Sequence, residues 1–323
     1  MYTLADFLSL NVTPDIRTMV IETMRLNSQL LNSLVFQPIK SGQARFTRRD
    51  TYPTTDARAL NAALPAESTG GFDNINEFLA VYSGHGYVDR AFRKFENMAE
   101  RDTIQQTLFD QSMSITKTIE RDIFQGTGID DIFGLNGRIA LIAGDQLFAI
   151  GANGLDITAS AANAIVGFEM LETLQSNVSG NNSQKVFLMN RQMESRFKIA
   201  AWLSGTQLYN DKDAIGNPIT RYSGIPFIIV EEDAQGNQIL PTTETQGASG
   251  ATCSSVYCAR LDTIDGMSML TYEDGQGFPF DMDYDIVERV PGQAYGEVMV
   301  EAYVGMVLKR DDSVARCTGF IVA

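Results

Sequence analysis

Two stretches of the chain carry long, regular apolar patterns, and both exceed ordinary element lengths. Between Ala99 and Gln125, Ile104, Leu108, Ile115, Ile119 and Ile123 recur at spacings of four, seven, four and four. That is one apolar stripe along a helix. Gly126-Thr127-Gly128 supplies the glycine stop. At ~1.5 Å per residue this helix spans roughly 40 Å. Glu120, Arg121 and Asp122 interrupt the run and are expected on its exposed side. Near the C-terminus the period changes to two. A hairpin is predicted over Phe280–Val290, with a turn at Pro291-Gly292 and a return over Gly296–Lys309. Phe280, Met282, Tyr284 and Ile286 alternate with Asp281, Asp283 and Asp285; Val298, Val300, Ala302, Val304, Met306 and Leu308 share one face of the return strand. A one-residue slip would bury three aspartates, so the register is fixed, with one face against the helix. Each arm reaches roughly 35–45 Å at ~3.3 Å per residue. Ordinary helices average about 11–12 residues and strands about 5–6. A long helix laid against a hairpin of equal reach suits a plate-like building block better than a catalytic domain.

The rest of the chain divides around these two elements. Thr13–Arg25 reads as a helix with Thr13 as N-cap and Pro14 in the first turn. Residues 1–39 are too few for a domain and are expected to be an arm that packs on another surface. Residues 40–83 read as a protruding β-arm. A strand at Gln43–Arg49 leads to a polar tip, and a second strand at Asn74–Tyr82 returns. With so few core residues, this arm is not expected to order itself in isolation. From 156 to 272 short mixed units follow. They are a helix at Ala161–Leu174, a strand at Lys185–Met189 and a helix at Arg191–Leu203 carrying Trp202, the only tryptophan. An apolar strand follows Tyr222-Ser223-Gly224-Ile225-Pro226, then a polar loop at Asp233–Ala251 and strands at Ser255–Leu261 and Met267–Tyr272. Thr318–Val322 is a last apolar strand. The fold class is α+β.

Composition narrows the partners. The 323 residues carry a net charge of −15, which argues against general DNA binding, because phosphate contacts need concentrated Lys and Arg. The outgoing half of the arm runs against this trend: Lys40, Arg45, Arg48, Arg49 and Arg58 outnumber Asp50, Asp56 and Glu67. Either this is a solvated face, or it is a basic stretch laid across an acidic neighbour. On the second reading Arg45, Arg48, Arg49 and Arg58 are inter-subunit contacts, and the hairpin stripe Asp281, Asp283 and Asp285 faces a partner. Three cysteines, Cys253, Cys258 and Cys317, make no disulfide framework and read as small apolar groups of a protein made in a reducing cytoplasm. Neither an apolar leader nor a run of ~18 apolar residues occurs, so no membrane span is expected.

The search for catalysis yields little. His85, the sole histidine, lies in Ser83-Gly84-His85-Gly86 and reads as a turn residue at the root of the arm. Gly126-Thr127-Gly128 follows a helix, whereas a phosphate loop follows a strand and opens one. Asp281, Asp283 and Asp285 lack the twelve-residue, glycine-bearing loop of a calcium site. No catalytic, cofactor-binding or metal-binding residue is assigned, and no enzyme activity is expected.

The order of parts resembles the major capsid proteins of tailed bacteriophages, the Hong Kong 97-type capsid fold. Ile119-Glu120-Arg121-Asp122-Ile123-Phe124-Gln125-Gly126 leading to Phe133-Gly134-Leu135, and Gly224-Ile225-Pro226 before an apolar strand, are similar to stretches of that family. The resemblance implies an N-terminal arm (1–39) and an extended β-hairpin or E-loop (40–83). It further implies a peripheral domain (84–155 and 273–311) with a spine helix at 99–125, and an axial domain (156–272 and 312–323). It implies a virion protein, made in the host cytoplasm, that assembles into hexamers and pentamers of an icosahedral shell around double-stranded DNA without reading its sequence. Only 39 residues precede the arm, so either a separate scaffolding protein or none is implied; a portal and a decoration protein would be further partners. Only Lys40 lies in the arm, at its base, so covalent crosslinking through the arm is not expected. Two other readings remain: an encapsulin-like compartment shell holding protein cargo, and an enzyme built on the mixed α/β block.

Overall fold

A computed structural model describes residues 28–49, 53–89 apart from 65, 67 and 70, 99–142, 144–212, 218–272, 282–287 and 294–322. The helix expected at Thr13–Arg25, Asp281 and the turn at Pro291-Gly292 lie outside the described residues.

The long helix, Ala99–Gln125, has the bounds its stripe predicts. Leu108, Ile115, Ile119 and Ile123 are buried, joined by Phe124. It stops where it must: a Cβ on Gly126 would stand 1.9 Å from the Ile132 carbonyl oxygen. The helix lies on a five-stranded sheet. The central strand β14 (Tyr295–Leu308) pairs antiparallel with β4 (Ala80–Asp89) on one edge. Its other edge takes β13 (Met282–Val287) and β12 (Met267–Tyr272), both antiparallel. A short strand β1 (Phe36–Ile39) adds parallel to β12. Val298, Val300, Ala302, Val304, Met306 and Leu308 are all buried, as the alternation requires. Gly84 and Gly86 let the helix approach, since Cβ atoms there would stand 2.7 Å from Gln111 Oε1 and 2.5 Å from Thr107 Cγ2.

A second sheet has the spatial order Leu147–Ala149 (β5), Val314–Ile321 (β15), Ala251–Arg260 (β11), Lys185–Asn190 (β6), Ile225–Val230 (β9), Pro218–Tyr222 (β8) and Tyr209–Lys212 (β7). Helices Ala161–Asn177 and Arg191–Ser204 pack on one face. The second of these, followed by the strands Tyr209–Lys212 and Pro218–Tyr222, lies in the crossover from β6 to its parallel neighbour β9. Period two divides the sheet between two cores. Val186, Leu188, Ile228 and Val230 join the cluster of the long helix; Phe187, Met189, Phe227 and Ile229 join that of the two shorter helices. Cys258 and Cys317 lie in the second cluster, and burial pushes both thiols up to about 12.

Six expectations are corrected. Glu120 and Asp122 are buried, not exposed. Glu120 accepts from the Ser28 hydroxyl, and Asp122 takes Arg121 Nε at 2.9 Å and hydrogen-bonds Tyr82. Residues 28–39 dock on their own chain: helix Gln29–Ser33 buries Leu30 and Leu31, and β1 follows. Met267–Tyr272 joins the sheet of the long hairpin rather than the 156–272 block, because Val304–Leu308 extends past the end of β13 and needs a partner on that edge. The returning strand of the arm divides at Leu79 into β3 (Phe72–Phe78), which pairs only within the arm, and β4. His85 therefore sits mid-strand, opposite Met299, with Nε2 3.6 Å from Glu297. The loop at Asp233–Ala251 contains one short strand, Glu244–Gln246, on β11.

Candidate inter-subunit interface

The arm is a two-stranded ribbon, β2 (Gln43–Arg49) against β3, in register from Gln43↔Phe78 to Arg49↔Phe72. A cation of the body holds each strand near the base. On β3, Glu77 receives Arg138 in a bidentate pair, Nη1 to Oε1 at 2.6 Å and Nη2 to Oε2 at 2.9 Å. Arg138 comes from helix Leu135–Leu141 and also donates to the carbonyls of Phe133 (2.7 Å) and Met306 (2.9 Å). Both partners are largely buried. On β2, the Lys309 ammonium stands 4.8 Å from the centre of the Phe46 ring, and donates to Gln37 and to the Thr263 carbonyl. Burial lowers the Lys309 pKa, against the opposing pull of Asp262 and Asp265.

Beyond its base the arm is uncovered. Residues 53–64 are all exposed. A tight turn closes there, with Ala62 N donating to the Ala59 carbonyl at 3.1 Å and Asn61 at φ +65°. The arm is thus rooted on the body of its own chain at the base of both strands.

The residues expected to join subunits fall on two separate surfaces. Arg45 is exposed on β2 opposite Asn76; Arg48 and Arg49 stand opposite Asp73 and Phe72. Arg58 is exposed, but its guanidinium donates to the Ala62 carbonyl at 2.7 Å and braces the turn. Asp283 and Asp285 lie on β13, opposite Glu301 and Met299, and Asp285 is exposed. Register places Asp285, Met299 and His85 on the face turned away from the long helix, with Tyr87, Tyr295 and Glu297 beside them. His85 and Tyr295 make edge contacts with the Tyr87 ring at 4.6 and 4.7 Å. Sequence reasoning missed Glu77, Arg138 and Lys309. An arginine between Leu135 and Ile139 in the short helix Leu135–Leu141 was the one available signal.

A cleft of about 510 Å³ is lined by Lys117, Asn190, Arg191, Ser195, Glu231 and Gln238 among others. Arg191 and Glu231 pair across it. Among the described residues, no cluster of His, Cys, Asp and Glu is placed to hold a metal ion, and no helix is long and apolar enough to cross a membrane.

No protein-family model and no curated protein matches the sequence. Solved structures do match in fold. The holo-SrpI encapsulin complex of Synechococcus elongatus PCC 7942 aligns over 91% of this chain and 88% of that one, with 14% identity and a TM-score of 0.65. The capsid of a native GTA particle aligns over 90% of each chain, with 12% identity and a TM-score of 0.64. The capsid of Cyanophage P-SCSP1u aligns over 90% and 87%, with 10% identity and a TM-score of 0.60. Long helix, five-stranded sheet, rooted β-arm and second mixed sheet together give this chain the α+β architecture of the Hong Kong 97-type capsid fold.

Proposed function

We propose that this chain is a structural protein whose copies tile a closed icosahedral shell, as hexamers and pentamers, around double-stranded DNA. The observation that carries the reading is the arm: clamped at its base to its own chain, uncovered beyond it, and attached to a fold shared with capsids. Beyond its base, a ribbon with so little core of its own would gain burial on another molecule. The basic side of the arm would lie on the acidic face that carries Asp285 and Glu297 of an adjacent copy, complementary charge setting approach and register. The block around the second sheet would gather at the local symmetry axes. A scaffolding protein, a portal and a decoration protein would be further partners, and the assembled virion the site of action. DNA would be enclosed without base-specific contacts, and the net charge of −15 is in keeping with weak general phosphate binding. Negative-stain microscopy of the purified protein tests this: closed shells are expected, and a persistent monomer overturns it.

A second reading is an encapsulin-like compartment, favoured by the likeness to the SrpI encapsulin. Particles isolated from the natural host separate the two. Nuclease-protected DNA inside supports the first; a protein cargo without DNA supports the second.

A further inference from the structure

An asparagine followed by glycine can close a ring onto the next backbone nitrogen, because glycine places no Cβ beside the ring that forms. The chain has two such pairs, Asn136-Gly137 and Asn153-Gly154, and the fold treats them oppositely. Asn136 lies in helix Leu135–Leu141. Its Oδ1 accepts from the buried Tyr257 hydroxyl, and a Cβ on Gly137 would stand 2.5 Å from the Phe133 ring. Helical backbone and close packing hold that side chain off the Gly137 nitrogen. Asn153 is exposed, in the turn between β5 and Leu155. Gly151 and Gly154 have φ of +72° and +79° there. Among the described residues no acceptor takes the Gly154 N–H. Ala248 N donates to Asn153 Oδ1 at 3.2 Å. A donor at that oxygen stabilises the negative charge that builds on it when Cγ is attacked.

We propose that Asn153 is a site of spontaneous deamidation, and that its isoaspartyl product opens the loop that Asn153 and Gly154 form. The Gly154 nitrogen bonds to Asn153 Cγ as the Cγ–Nδ2 bond breaks, and Nδ2 leaves as ammonia with the Gly154 amide proton. Water then opens the cyclic imide. Attack at Cγ gives aspartate. Attack at the main-chain carbonyl gives isoaspartate, with an extra methylene in the backbone. Water is the sole co-reactant, and nothing is oxidised or reduced.

The surroundings leave no room for that methylene. A Cβ on Gly154 would stand 2.9 Å from both Cys253 Sγ and the Gly319 carbonyl oxygen. Leu155 N donates to that same carbonyl at 2.9 Å, and Leu155 O accepts from Ile321 N at 3.0 Å. From the facing loop, Gly247 (φ +63°) closes on the Ala152 carbonyl, where a Cβ would stand 2.1 Å from the oxygen. A lengthened link at 153–154 therefore lifts Leu155 from β15, and the fully buried Cys253 loses the cover of Gly154. Aspartate keeps the original backbone length and keeps that cover. The proposal is independent of the shell reading.

The test ages the purified full-length protein at mildly alkaline pH in heavy-oxygen water. Peptide mass mapping should place the exchange of amide for labelled acid at Asn153 at least about tenfold faster than at Asn136, whose helix must first give up a hydrogen bond or two. An isoaspartyl methyltransferase measures the isoaspartate formed. In the aged native protein, maleimide labelling of Cys253 should rise with that content, while Cys258 and Cys317, both fully buried, stay unlabelled. Asn153→Gln, which would need a larger ring, and Asn153→Asp should keep Cys253 unlabelled through the same ageing. Equal rates at the two pairs, or no conversion at Asn153, overturn the site. Cys253 labelling that ignores isoaspartate content, or that appears equally in Asn153→Gln, overturns the opening of the loop.

Discussion

Glu120 lies between Ile119 and Ile123 in the stripe of the long helix and is only 7% exposed. Its partner is the hydroxyl of Ser28, which also caps helix Gln29–Ser33 by accepting from Leu31 N at 2.9 Å. Burial, with Glu231 nearby, pushes its pKa from 4.5 to about 7, against the smaller effects of Ser28 and Lys117. The folded state therefore holds this proton more tightly than the unfolded chain. The stabilisation is complete below about pH 4.5 and is lost as pH rises through about 7. Its full size is on the order of 3 kcal/mol. Denaturant titrations of the subunit between pH 5 and 8 should show falling stability. Glu120→Gln should remove most of that slope; an unchanged slope would place the titrating group elsewhere. Hydrogen exchange at residues 29–34 should follow the same pH dependence in the wild type. A lone glutamate in an apolar stripe reads from sequence as a surface residue, because burial of a carboxyl depends on a hydroxyl 92 positions away.

At the scale of elements, local signals were legible and partnerships were not. The bounds of the long helix follow from a stripe and a glycine stop, both short-range. The faces of β14 follow from alternation. The pairing of β12 with β14, and the division of the arm at Leu79, depend on which strand edges remain open after folding, which no local pattern records. The same holds for Arg138 and Glu77, 61 positions apart. Their pair is buried, so removing one partner strands a charge. Arg138→Met should cost about 3–5 kcal/mol in denaturant unfolding. Exchange should also accelerate along β2 and β3 well beyond its change in the second sheet; a uniform change across the molecule would argue against a clamp on the arm. Gly86 admits no side chain over Thr107. Gly86→Ala should destabilise by about 1–3 kcal/mol, measured as a lowered unfolding midpoint.

For the whole molecule, the basic half of the arm and the alternating aspartates of the hairpin are charge patterns of the sequence, and neither pattern records which surface it meets. Reversing Arg45 and Arg48 to glutamate should weaken assembly, most strongly at low salt, without unfolding the subunit. Normal shells from that variant, seen by microscopy, would remove charge steering from the account. Trp202, 83% exposed on helix Arg191–Ser204, offers an independent readout. Its fluorescence should be that of a hydrated indole in the free subunit and shift to shorter wavelength as shells form.

The second sheet is shared by two cores, Val186 and Leu188 serving one while Phe187 and Met189 serve the other. Such a wall cannot act as a pivot: swinging one half of the molecule against the other would tear apolar surface from both sides at once. If the proposed shell forms, copies at its five-fold and six-fold positions would therefore keep the same body. The difference in bend between those positions would be absorbed at the margins, by the ribbon and the outer loops.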